Sequence, residues 1–373
     1  SLPRLTARGF GLPTVPMAPE LFLDGKPARL ARYPDAGKWL KVAGAKDGSF
    51  TTDDPVPFAW AKSEDLFVHG YWQFDWADVY QPATLDAASR RIQVPRLGSY
   101  GAPKDARRFA FLNVREAMDA PGEYVLDRSQ GMVEAIPFDG KPPSEAILSL
   151  LDGPILHARK AERLVIRGLT VEAGRAEGIV LEGGLENRVA EVTVRNMGTH
   201  GIVMRNETGT VIDRVDCRNT GETGLVLAGG DRATLVPGGN VVQDSTFLGS
   251  SRICRTYRPG VLVEGVGNVV RHCRITDLPH TAILMGGNDH LIEGNEIARV
   301  CRETGDAGAI YMGRDPTMRG VVLRRNFLHQ IDPLVSTEGA YVGVMALYLD
   351  DCFGGVLTTS VGDSTQAWPS VPK

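Results

Sequence analysis

Absences bound this chain first. Its 373 residues include five cysteines and no CxxC pair, and an odd count gives no disulfide framework. No run of 18 apolar residues occurs, so no segment can cross a membrane as a helix. The net charge of −4 comes without a clustered basic stripe, which argues against nucleic acid as a partner. No GxSxG, P-loop or GxGxxG follows a strand and opens a helix. His290 stands beside Asn288 and Asp289, but no second histidine lies at metal-ligand spacing, so no zinc site is expected. No residue pattern calls for structural calcium or an organic cofactor.

What is present is a pattern repeated seven times between residues 162 and 351. A first apolar run begins at Ile166, Val189, Ile212, Val242, Val270, Ile292 and Val322. A further apolar position follows at Val171, Val194, Cys217, Phe247, Ile275, Ile297 and Phe327. The second run gives Ile179, Ile202, Leu225, Val261, Ile283, Ile310 and Leu347, then Leu181, Met204, Leu227, Val263, Met285, Met312 and Leu349 two residues on. The runs alternate with period two and are too short for helices. Constant local pattern with irregular spacing means coils of one solenoid whose insertions sit in loops. The expected fold is all-β, a right-handed parallel β-helix. Its inward columns are buried, and Tyr311, Gly313, Tyr348 and Asp350 point outward. Asn187, Asn196, Asn219, Asn240, Asn268, Asn295 and Asn326 suit its corners, where left-handed residues and side-chain bonds to the backbone are common. Cys217 and Cys273 fall at or beside core positions and should be buried free thiols.

Three regions are expected. Residues 1–146 form a β-rich, sandwich-like module, with strands about the Asp24-Gly25 turn and at 91–94, 123–127 and 132–136. Residues 137–146 read as a linker into the β-helix of 147–355. Residues 356–373 carry no ladder and are expected to be irregular or disordered, so the last coil lacks a cap. The aromatic stretch from His69 to Tyr80 (HGYWQFDWADVY) supports two readings: filler for the module core and its junction with the solenoid, or a sugar-stacking platform at a cleft rim.

A solenoid by itself specifies no activity. Polar groups concentrate in the last four coils. Asp306, Asp350, Asp351 and Asp315 are the candidate catalytic carboxylates, with Asp306 and Asp350 the leading pair. Glycoside hydrolysis needs two such groups, one protonated to donate to the leaving oxygen and one ionised as nucleophile or base. Tyr311 and Tyr348 offer a sugar-binding face. Arg314 has a charge suited to separating the two carboxylate roles. Tyr257, Arg258, His280, Asn288, Asp289 and Glu303 are further substrate-binding candidates. The bland alternatives are a turn-capping Asp306, a solvated Asp350, a corner His280, and arginines Arg255 and Arg258 paired within the protein, with Glu264 as the nearest acid in sequence.

The segments ELFLDGKPARLARYP, HGYWQFDWAD, GEYVLDRSQG, GGDRATLVPGGN, TYRPGV, GGNDHLIEGNEI, DAGAIYMGRDPTMRG and ALYLDD resemble a large bacterial group of right-handed β-helix proteins. Within it the chain is most similar to glycoside hydrolase family 141, with fucosidase and xylanase activities. The resemblance covers nearly all of residues 8–355. It implies a secreted or periplasmic carbohydrate-active enzyme with its acids in the DAGAIY and LYLDD segments, here Asp306, Asp350 and Asp351. Full-length members extend beyond both ends of this chain. The expected function is therefore hydrolysis of a plant or microbial polysaccharide or oligosaccharide by a single chain. A polysaccharide lyase using Arg258, His280 and Arg314, and a carbohydrate-binding or adhesion solenoid without turnover, are the alternatives.

Overall fold

A computed structural model describes residues 2–46, 48–62, 65–95, 100, 107–333, 343–351 and 356–362, the last segment and residues 61–62 as backbone. The chain is a right-handed parallel β-helix preceded by a β-rich module. Its regular elements among the described residues are strands and two short 3₁₀ turns. The second-run strands stack as Leu156–Arg159, Ile179–Glu182, Ile202–Arg205, Leu225–Asp231, Val261–Val266, Ile283–Asn288, Ala307–Gly313 and Val344–Asp350. Every neighbouring pair is parallel, and Ile179, Ile202, Leu225, Val261, Ile283, Ile310 and Leu347 share one register as the alternation requires. The first-run strands and those that follow them form two further stacks, joined through the long strand Val321–His329.

The last coil departs from the expected register by one residue. Leu323 pairs with Ile292 and Leu328 with Ile297, so Val322 and Phe327 are not the core members. Leu323 and Leu328 are buried, while Phe327 is 41% exposed. Val321-Val322-Leu323 is apolar throughout, so alternation alone could not choose the inward face. In the second-run stack Leu349 keeps register with Met312 but is 46% exposed, and Leu347 is only partly buried.

Corner asparagines act in two ways. Asn196 and Asn219 are left-handed, with φ of 57° and 54°. Asn187, Asn240, Asn268, Asn295 and Asn326 instead bond to the backbone or side chains of adjoining coils. Asn187 Oδ1 accepts from Leu164 N at 2.9 Å, Asn240 Nδ2 donates to Asn268 Oδ1 at 3.0 Å, and Asn295 Nδ2 donates to Asn326 Oδ1 at 2.9 Å. These bonds satisfy polar groups that the stack would otherwise bury unpaired. Cys217, Cys254, Cys273 and Cys301 are buried free thiols, and Cys352 lies outside the described residues.

The strand Ala146–Leu148 pairs antiparallel with Leu21–Leu23, so the end of the expected linker closes the first module. Residues 356–362 also differ from expectation: Val356–Gly362 pairs in parallel with Val321–His329, continuing the stack past residue 355. Residues 363–373, the rest of the expected tail, lie outside the described residues. Leu225 and Ile310 are essentially buried at the centre of their column. Leu225→Ala or Ile310→Ala should lower stability by about 2–5 kcal/mol through lost burial plus a cavity. Urea unfolding checks this, and a loss below about half a kcal/mol at both positions would refute the register.

Candidate active site on the outer face of the last coils

Tyr311 and Tyr348 are direct neighbours on adjacent strands of the second-run stack and face outward, with ring centroids 5.3 Å apart. Two glycines permit this packing. A Cβ on Gly308 would lie 2.6 Å from Tyr348 Cβ, and one on Gly313 would lie 2.2 Å from the Asp350 carbonyl oxygen. Gly313 therefore leaves no hollow, because the Asp350 backbone packs against it.

Each tyrosine serves the aspartate of the other coil. Tyr311 Oη donates to Asp350 Oδ2 at 2.7 Å, and Tyr348 Oη donates to Asp306 Oδ1 at 2.8 Å. Asp306 sits at a left-handed corner (φ 51°), where its amide donates to the Gly343 carbonyl at 2.9 Å. Asp350 pairs with Gly313, and Asp306 precedes Gly313 by seven residues (313 − 306 = 7), so the carboxylates approach the tyrosine pair from opposite ends. Arg314 Nε lies 3.9 Å from Asp350, and its Nη2 lies 3.6 Å from the largely exposed Asp351. Arg314's pKa is raised by Asp350 first and then by Asp351.

Tyr257 extends this face. Its ring lies edge-on to that of Tyr311, with centroids 6.1 Å apart. Burial pushes the Tyr257 phenol up to about 12, and burial followed by the Asp350 hydrogen bond raises Tyr311, so both remain protonated donors at neutral pH. On its other side Tyr257 meets Phe10 at 5.1 Å and Trp76 at 6.2 Å, and Trp76 stacks on Phe74 at 4.7 Å. A row of rings therefore runs from the N-terminal module to the two aspartates. Within the aromatic stretch, Tyr71 and Trp72 are buried as core, whereas Phe74 and Trp76 are partly exposed and join the row.

Other candidates are held in structural roles. Arg232, on the loop after Leu225–Asp231, donates to Asn288 Oδ1 at 3.1 Å, Asp315 Oδ2 at 2.8 Å and Thr317 Oγ1 at 2.7 Å. Thr317 and Arg232 hold the Asp315 carboxyl at about 2, away from any role as a proton donor. Asp289 forms a left-handed corner (φ 58°) against Gly320. His290 Nδ1 accepts from Asn268 N at 3.2 Å. Arg258 pairs with Glu222 at 2.7 Å and Arg255 with Glu303, so Glu264 is the partner of neither. His280 is buried; its Nδ1 lies 2.9 Å from Thr281 Oγ1, and its Nε2 has no hydrogen-bond partner among the described residues. Its ring is 4.9 Å from that of Tyr257.

Three acids join the module to the solenoid, Asp78 and Glu222 buried and Glu303 partly exposed. Asp78 accepts from Thr256 Oγ1 at 2.7 Å and Arg255 N at 3.0 Å, and lies 3.1 Å from His69. Glu222 accepts from Thr14 Oγ1 and Arg258 Nε, each at 2.7 Å. Glu303, named above only as a substrate contact, receives Arg255 and the Tyr71 hydroxyl, the latter at 3.3 Å. Burial alone would raise the Glu303 carboxyl, but Arg255's charge and hydrogen bonds outweigh it and hold the group at about 2.

His280 and Glu303 both contribute to the acid limit of stability, beside the buried His69, His200 and His290, which burial also lowers. Burial holds His280 at about 4, below its unfolded value, so the unfolded chain binds the extra proton and stability falls as pH drops from about 6.5 towards 4. Glu303 adds a second loss from about 4.5 towards 2. Urea midpoints should therefore decline in both windows, and His280→Gln should make the upper decline shallower. An unchanged upper limb in that variant would contradict the assignment.

No family model and no curated protein sequence matches the chain. Among solved structures, one described as a glycoside hydrolase aligns over 91% of this chain and 76% of its own length, at 12% identity and a TM-score of 0.68. The Azotobacter vinelandii mannuronan C-5 epimerase A-module aligns over 59% of this chain and 63% of its own, at 14% identity and a TM-score of 0.39. The tailspike protein gp49 of Pseudomonas phage LKA1 aligns over 88% and 61%, at 12% identity and a TM-score of 0.32. At these identities the first likeness establishes the class of fold, the parallel β-helix with its N-terminal module, and the site is read from its own geometry.

Proposed function

We propose that the chain is a glycoside hydrolase that acts on a polysaccharide or oligosaccharide at the Tyr311–Tyr348 face, outside the cytoplasm and without a cofactor. The observation that carries this reading is the crossed pairing of Tyr311 with Asp350 and Tyr348 with Asp306 at the end of an aromatic row. Rings present the apolar faces that sugars stack on, and the two carboxylates supply the acid and the base. Arg314 lies beside Asp350, which suits the base; Asp306 has no cation within 4 Å among the described residues, which suits the acid. The mechanism in this reading is inversion at the anomeric carbon, which calls for about 6.5–9.5 Å between the two carboxyls to admit the attacking water. Asp350 then takes a proton from the attacking water, whose oxygen bonds to the anomeric carbon. Asp306 gives its proton to the departing glycosidic oxygen as that bond breaks. Kinship with glycoside hydrolase family 141, on the resemblance of the DAGAIY and LYLDD segments, belongs to the same proposal.

The lyase reading is weaker because its groups are committed elsewhere. Arg258 is bound to Glu222, Arg314 lies between two aspartates, and burial keeps His280 neutral down to about pH 4. A panel of neutral and uronate-containing polysaccharides separates the possibilities. Hydrolysis predicts new reducing ends without ultraviolet absorbance from unsaturated sugars. Such absorbance would establish a lyase, and retention of a glycan without new ends would establish a binding solenoid.

A further inference from the structure

A cavity of about 350 Å³ lies between the N-terminal module and the solenoid and shares no lining residue with the tyrosine–aspartate face. Its volume is at the lower end of the range for small-molecule sites, which favour junctions between structural units. Much of its wall is carbon, from residues such as Leu30, Phe67, Leu112 and Ile253. Four arginines also line it, Arg8, Arg29, Arg32 and Arg252, against a single acidic residue, Glu20.

Three of the four cations have acidic partners. Arg252 pairs with Glu20 at 2.5 Å, Arg29 with Glu123 at 3.5 Å, and Arg8 with Glu222 at 3.8 Å. Arg32 does not. Its Nη1 donates to the main-chain oxygens of Pro34 and Asp35, its guanidinium lies 4.6 Å over the Trp39 ring, and no carboxylate comes within 4 Å of it among the described residues. Burial works against its charge and lowers its pKa. The neighbouring His69 does not add a compensating anion, and its own partner is Asp78.

An ion left without a counter-charge in a carbon-walled cavity is costly, and a bound anion removes that cost. Guanidinium favours carboxylates through paired hydrogen bonds, while the remaining wall favours an apolar body. We propose that this cavity binds a small carboxylic acid with an apolar body, seated with its carboxylate on Arg32 between the two modules.

Benzoate and hexanoate are the probes, with benzamide, hexanamide and inorganic phosphate as controls, titrated calorimetrically into the full chain. The two carboxylates should bind one per chain and raise the melting temperature, because a ligand held only by the folded junction stabilises it. The amides and phosphate should not. Arg32→Met should weaken binding by at least about tenfold, as expected for loss of a charge-assisted hydrogen bond. Ala28→Leu, which leaves every charge in place and fills part of the cavity, should also weaken it and keeps the test open if Arg32→Met does not fold. Equal binding of amides and carboxylates, preferential binding of phosphate, undiminished binding in the folded variants, or no saturable binding at millimolar ligand would each overturn the proposal.

Discussion

Glu222→Ala should destabilise the protein by about 3–5 kcal/mol, because it leaves buried cations without their anion. Glu222 and Arg8 are 1% and 2% exposed, and Arg258 is largely shielded. In the parent, Glu222 receives Arg258 Nε and Thr14 Oγ1 and lies 3.8 Å from Arg8, so one carboxylate ties the first residues of the chain to two coils. The loss should exceed that from Glu186→Ala, where Glu186 pairs at the surface with Arg163; an exposed pair of that kind contributes at most about 1 kcal/mol. Urea unfolding of the two variants gives the comparison. Hydrogen exchange should also show that residues 8–17 lose protection before the coil at Ile283. A loss below about 1 kcal/mol for Glu222→Ala would mean that the network does not join the two parts.

The coils were legible in the sequence because burial imposes a rule at every second residue. Ile179 through Leu347 fell into register on alternation alone. The reading failed by one residue at Val322 and Phe327, where consecutive apolar residues remove the alternation. Residues 356–362 depart from expectation for a related reason. Val356–Gly362 joins the stack through main-chain pairing, although its sequence shows no ladder. Of the candidate site, Asp350, Tyr311 and Tyr348 were named from their outward columns, and Asp306 and Tyr257 from the turns entering their strands. Their crossed bonding was not, since it depends on how side chains lean between coils. Of the module junction only the aromatic stretch was legible, and its polar contacts were not: Thr14 and Glu222 stand 208 residues apart in sequence, and Asp78 and Thr256 stand 178 apart. Single polar contacts across such distances follow no period, so only the folded geometry reveals them.

Asp306→Asn and Asp350→Asn should each retain the fold and lose about 10²–10⁴ of turnover, the range supplied by a positioned acid or base. Asparagine keeps the shape of the side chain and an oxygen able to accept from Tyr348 or Tyr311. It removes the proton that the acid must give, or the charge with which the base takes one. Asp315→Asn is the internal control, because Arg232 and Thr317 hold that carboxylate in a structural clasp. The most direct measurement is the initial rate of the parent and these three variants, side by side, on one polysaccharide that the parent hydrolyses. Melting curves run on the same samples establish that each is folded. The account predicts at least about a hundredfold loss at Asp306 and at Asp350 and a near-parental rate at Asp315; near-parental rates in folded Asp306→Asn and Asp350→Asn would contradict it.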